Sequence, residues 1–151
     1  GGIVQEATGI ADYILKKDSK ILITKDKNGE EKITMAENEH SIDLPIVVLV
    51  NNYSASASEI LAGALKDNNV AKIVGEKTYG KGVIQGIYLL SDKKTGLKVT
   101  IQEYFTPNNN KINKIGIEPD AQVELPEETK DSFEIENKDD TQLQKAIEIL
   151  K

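Results

Sequence analysis

The chain has 151 residues, 38% of them hydrophobic, with four prolines and eleven glycines, which is enough apolar material for one domain with a core. Nineteen basic residues, all lysine, stand against twenty-five acids for a formal charge of −6, arguing against a surface that binds nucleic acid through its phosphates. With no cysteine there is no disulfide or thiolate chemistry, and the single histidine, His40, cannot build a metal cluster alone, so neither metal nor cofactor is expected.

The N-terminus lacks a signal sequence, and no apolar run approaches the roughly 18 residues of a membrane span, so the chain reads as soluble. In chain order, Val4, Ala7, Ala11, Ile14 and Leu15 recur at helical spacing and predict an amphipathic helix over residues 3–17, with Gly9 as its weak point. Residues 20–36 place two short β-type runs around Asn28-Gly29, a hairpin signal because both residues tolerate positive φ. His40 follows in a charged, solvated loop. The β-branched run "PIVVLV", residues 45–50, predicts a strand buried on both faces. A helix over residues 57–67 and a short strand over 71–75 complete a strand, helix, strand unit with a right-handed parallel crossover. Residues 83–90 and 97–105 read as longer strands around the turn-rich "SDKKTG". An acidic linker is expected over 127–139, and a final helix over 140–150 that buries Leu143, Ala146, Ile147 and Leu150.

The segment "NYSASASEILAGALKD", residues 52–67, sets three serines at the start of a helix. Ser56 and Glu59, three apart, form a capping-box pair, which explains one serine structurally. The placement asks for more. A small-residue turn directly after a buried strand puts a side chain at the carboxyl end of the sheet, where ligands bind, and aims helix N–H groups at any developing oxyanion.

A nucleophilic serine needs a base, and histidine is nearly excluded. Lysine serves only when its neutral form is populated, which requires burial away from carboxylates. Lys81 is the candidate, flanked by Gly80 and Gly82 ahead of the apolar "VIQGIYLL", where its side chain could lie against apolar surroundings. A plain turn lysine between glycines is the alternative. The spacing Gly75, Gly80, Lys81 imitates a phosphate-binding loop, but Gly82 stands where that motif needs Ser or Thr, and a strand pattern follows instead of a helix.

Residues 47–85, "VVLVNNYSASASEILAGALKDNNVAKIVGEKTYGKGVIQ", resemble the catalytic core of the carboxyl-terminal processing, or tail-specific, serine proteases. The opening "GGIVQEATGIADYIL" is similar to that family's double-glycine turn and helix, and residues 104–126 to its segment after the active site. The resemblance implies an α/β, crotonase-like core with parallel strands and packed helices over residues 1–126. It implies a serine endopeptidase that cuts protein or peptide substrates near or from the C-terminus through an acyl-enzyme. Ser56 falls on the nucleophile, Lys81 on the general base and Gln85 on the residue that orients the base. In a strand, Lys81 and Gln85 would share a face. Backbone oxyanion donors would be Ala57 and either Gly1 or Gly2. Ser54 and Ser58 are then neighbours without a catalytic role, and Glu59 a capping residue.

The family's strand before the double glycine and its PDZ domain have no counterpart in these residues. The chain therefore reads as part of a longer protein, expected to fold and to be a weak or inactive enzyme by itself, while an exported or envelope-anchored location is implied by the family alone. Homo-oligomerisation stays open. The competing reading is a non-catalytic module on the same scaffold that adds a peptide as a strand beside residues 80–90.

Overall fold

The computed structural model describes residues 1–130 and 135–151. Helix α1 (Val4–Ile14) is followed by β1 (Lys20–Asp26), β2 (Glu31–Met35), β3 (Ile46–Val50), α2 (Ala57–Asp67), β4 (Ala71–Gly75), β5 (Val83–Leu89), β6 (Gly96–Phe105), the two-residue β7 (Ala121–Gln122) and α3 (Thr141–Leu150). The α/β class is as expected. Parallel pairing, however, is confined to a three-stranded sheet in the order β3-β4-β7, whereas the larger sheet, β2-β1-β6-β5, is antiparallel throughout. The reason is connection length: β1 to β2 and β5 to β6 are joined by short turns, and a parallel neighbour needs a crossover of a dozen residues or so. Helix α2 supplies one between β3 and β4, and the long excursion through β5 and β6 separates β4 from its other parallel neighbour, β7.

Helix α2 is the element on which the two sheets converge, packing against β1, β4 and α1. Ile60, Ala64 and Leu65 of α2 meet Ala11 and Leu15, Ile21 and Leu22 of β1, Ala71 of β4, and Tyr104 and Ile112 in one core. Gly63 lets the helix sit close to the chain beyond β6, since a Cβ there would stand 3.0 Å from the Thr106 methyl. Helix α1 ends at Ile14, three residues before the expected limit, and runs unbroken through the exposed Gly9.

Three expectations are corrected. The hairpin does form around Asn28-Gly29, but only Gly29 has positive φ; the turn is organised by the Asp26 carboxylate, which accepts from the N–H groups of Asn28 and Glu30 at 2.8 and 2.9 Å. Strand β3 is not buried on both faces, because it is the outer strand of its sheet and leaves Leu49 43% exposed. Helix α3 forms, with Asp140 accepting from the Leu143 N–H at 2.8 Å, yet the face it lays on β3 and β4 carries Gln142 and Ala146; Ile147 and Leu150 stay exposed and Leu143 half-buried. The Gln142 amide explains the rotation by donating to the Val123 carbonyl at 2.9 Å. The expected acidic linker includes residues 131–134, which lie outside the described residues.

Where β3 and β4 end together the backbones nearly touch. Gly75 has φ +126°, and a Cβ on it would come within 1.9 Å of the Val50 carbonyl oxygen. Gly75→Ala should therefore lower unfolding stability by about 2–4 kcal/mol, from the left-handed conformation together with the overlap, as read from a urea midpoint; an unchanged midpoint would mean the strand ends are free to separate.

Candidate active site

The turn after β3 is built by its own polar groups. The Asn51 N–H donates to Ser54 Oγ at 3.1 Å, and the Ser54 carbonyl accepts from the Tyr79 N–H at 3.0 Å, so Ser54 ties the turn to the segment before β5. Ser56 then caps α2 with φ +58° and ψ −117°, a conformation that L-residues avoid and that costs on the order of 1–3 kcal/mol. It is held there. The Ser56 N–H donates to Glu59 Oε2 at 2.9 Å, completing the capping-box pairing, while the Glu59 N–H lies 2.9 Å from the Ser56 carbonyl and so leaves the serine hydroxyl short of a full cap bond.

Glu59 does far more than cap. Its side chain is 0% exposed in the middle of the α2 seam. Oε1 accepts from Thr78 Oγ1 at 2.6 Å and from the Gly80 N–H at 2.7 Å, and Oε2 from the Lys81 N–H at 2.8 Å in addition to Ser56. One carboxylate oxygen thus receives the main-chain N–H of both Ser56 and Lys81. The strap Thr78–Gly82 is secured on its other side as well. Thr78 Oγ1 accepts from the Ile117 N–H at 2.7 Å, the Lys114 N–H donates to the Gly80 carbonyl at 2.8 Å, and Gly82 is pressed so close that a Cβ would meet the Asn113 nitrogen at 2.3 Å.

Tyr104, 1% exposed on β6, closes the arrangement. Its hydroxyl donates to the Lys81 carbonyl and its N–H to the Gly82 carbonyl, the latter at 3.0 Å. Burial pushes the phenol up to about 12, against a lowering hydrogen bond from the Ser56 side chain and with a smaller raising contribution from the negative Glu59.

The other expected site residues are placed unevenly. Gly1 lies on the Ser56 turn, where a Cβ would stand 2.7 Å from the Ala55 carbonyl oxygen and 3.7 Å from Ser56 Cβ, whereas Gly2 has nothing within 4 Å. The buried Ala57 is the first residue of α2, and its N–H has no hydrogen-bond partner among the described residues. Lys81 lies ahead of β5, not within it, and its side chain is exposed instead of lying against apolar surroundings, because no described residue covers the outer side of the strap. Gln85 is exposed on β5 opposite Thr100 and makes no hydrogen bond to Lys81 among the described residues. The strap's anchors, Thr78 and Tyr104, were missed from the sequence. The one available signal for Glu59 was a carboxylate at the third helical position, which reads as an ordinary cap.

The chain as a whole is similar to known proteins. The model of peptidase family S41 matches residues 1–123. The chain is 46% identical over 151 residues to a carboxyl-terminal-processing protease of Synechocystis sp., covering 99% of this chain and 34% of that protein. It is 46% identical over 121 residues to the chloroplastic carboxyl-terminal-processing peptidase 1 of Arabidopsis thaliana, covering 80% of this chain and 24% of that protein. The solved structure of a photosystem II D1 C-terminal processing protease superposes with a TM-score of 0.77 at 41% identity, over 83% of this chain and 33% of that one. The chain thus spans about a third or less of these relatives' lengths.

Two outcomes follow for the buried network. Glu59→Gln keeps the shape but turns an NH2 toward N–H donors on one side, and should lower stability by about 1.5–3 kcal/mol in chemical denaturation. The phenol supplies a pH dependence: its folded value, about 12, lies above the ordinary 10.0, so the unfolded chain ionises first as pH rises. Its contribution is fully present below pH 10 and is lost as pH climbs to about 12; Tyr104→Phe should flatten that part of the stability curve, and an identical slope in both proteins would contradict the buried phenol.

Proposed function

The chain belongs to peptidase family S41, and on that premise we propose that it forms the catalytic core of a serine endopeptidase working with a Ser56/Lys81 pair. The observation that carries the reading is the shared Glu59 oxygen, which fixes the main chain of the strained serine and of the lysine to one point 2.9 and 2.8 Å away. A structural cap has no need of the second bond, or of a serine at φ +58°.

In this reading Ser56 Oγ attacks the peptide carbonyl, neutral Lys81 takes its proton and returns it to the leaving amine, and water hydrolyses the acyl-enzyme. The oxyanion is received by the Ala57 N–H, which has no partner among the described residues and points from the positive end of α2. A second donor comes from the Gly1–Gly2 turn, supported by the position of Gly1 against Ala55. Gln85 steers the lysine once substrate or the rest of the protein covers the strap. Substrates are proteins cut near or from a flexible C-terminus, as the names of the relatives suggest, with a PDZ domain elsewhere in the full-length protein and an extracytoplasmic location. No helix among the described residues is long and apolar enough to cross a membrane.

A binding-only role has one observation in its favour: β5 is the outer strand of its sheet, so an extended peptide can pair with it beside Lys81. Turnover decides between the two. In the full-length protein, Ser56→Ala and Lys81→Ala should each reduce peptide cleavage by about a thousandfold or more while the protein stays folded, with Gln85→Ala losing less. Peptide binding without cleavage in the wild type, or full turnover in either alanine variant, would overturn the assignment.

A further inference from the structure

Tyr104 is the residue that the peptidase reading leaves unused. Its ring fills core volume among Ile60, Leu65 and Ile112, a task phenylalanine would do equally well. The hydroxyl is different, because a buried phenol must find a partner, and here the partner is the main chain of the proposed base. Its proton is committed to the Lys81 carbonyl, and its main-chain N–H holds the next carbonyl, that of Gly82, at 3.0 Å.

We propose that Tyr104 is a positioning residue for Lys81, its hydroxyl and its main-chain N–H together fixing the two successive carbonyls of the main chain that bears the base. The inference rests on the Ser/Lys reading above. A phenol has one proton to give, and here it is spent on the Lys81 carbonyl. Glu59 sets the same residue from the N–H side, so the main chain of the base is held at both its N–H and its carbonyl. The raised phenol value keeps this donor protonated over any working pH.

The test uses the full-length protein and a peptide substrate, with Ser56→Ala and Lys81→Ala measured alongside. Tyr104→Phe should lower kcat by about tenfold to a hundredfold, the cost of a misplaced reacting pair, with KM within about twofold and little change in thermal midpoint. A kcat within about twofold of wild type overturns the inference. If the phenylalanine variant fails to fold, 2,3,5-trifluorotyrosine at position 104 keeps the shape and makes the phenol more acidic. An alkaline limb absent from the wild type should then appear in the kcat profile, and a profile without it overturns the inference. Dead Ser56→Ala and Lys81→Ala proteins beside a fully active Tyr104→Phe sink only this inference; turnover in either alanine variant sinks the Ser/Lys reading with it.

Discussion

One buried carboxylate organises the site. Glu59 brings a charge-bearing group into a seam where water does not reach, and such a group is tolerated only if its oxygens are met by donors. Four are supplied, three of them main-chain N–H groups that would otherwise be costly orphans in the same seam. Each side solves the other's problem. The strap after β4 has no regular secondary structure until β5 begins, and Glu59 is what its N–H groups have instead of a ladder. Removing the carboxylate would release the strap, the helix cap and the serine turn together.

That arrangement explains how a residue can be kept in an unfavourable conformation. Ser56 at φ +58° is held by its N–H on Glu59, and its carbonyl accepts from the N–H groups of Glu59 and Ile60 at 2.9 and 3.1 Å. A turn over-determined in this way keeps the hydroxyl pointed without spending it on the cap. The close approaches at Gly75 and Gly82 serve the same end, since each lets backbone pass where a side chain would meet the end of β3 at Val50 or the chain at Asn113.

What the sequence could reveal follows the range of the forces involved. Periodicity and turn chemistry are local, so α1, the β1–β2 hairpin, the β3-α2-β4 unit and α3 all appear within a few residues of expectation. The Ser56/Glu59 capping pair was legible because its spacing and the preceding strand sit in one short window. Burial was not legible at the edges: "PIVVLV" is apolar enough for an inner strand, but position in the sheet is decided by strands far along the chain, and α3 turned its Gln142 inward to meet a carbonyl nineteen residues earlier. Glu59 and Thr78 are likewise joined across nineteen residues, and Tyr104 and Lys81 across twenty-three, separations at which composition and spacing carry no signal.

The β5–β6 arm has a consequence for handling the molecule. Ile87 and Leu89, 73% and 71% exposed, share one face of the hairpin, and Tyr88 and Leu97, paired across it and 54% and 53% exposed, share the other, so both faces offer apolar surface to another copy. Net charge is what keeps copies apart, and at neutral pH the chain carries −6. Near its isoelectric point, about 4.9, that repulsion disappears while the greasy arm is unchanged. Acidification toward pH 5, or salt that screens the charge, therefore shifts the balance from a colloid stabilised by repulsion to one that clusters through the hairpin, well before any part of the fold has to open.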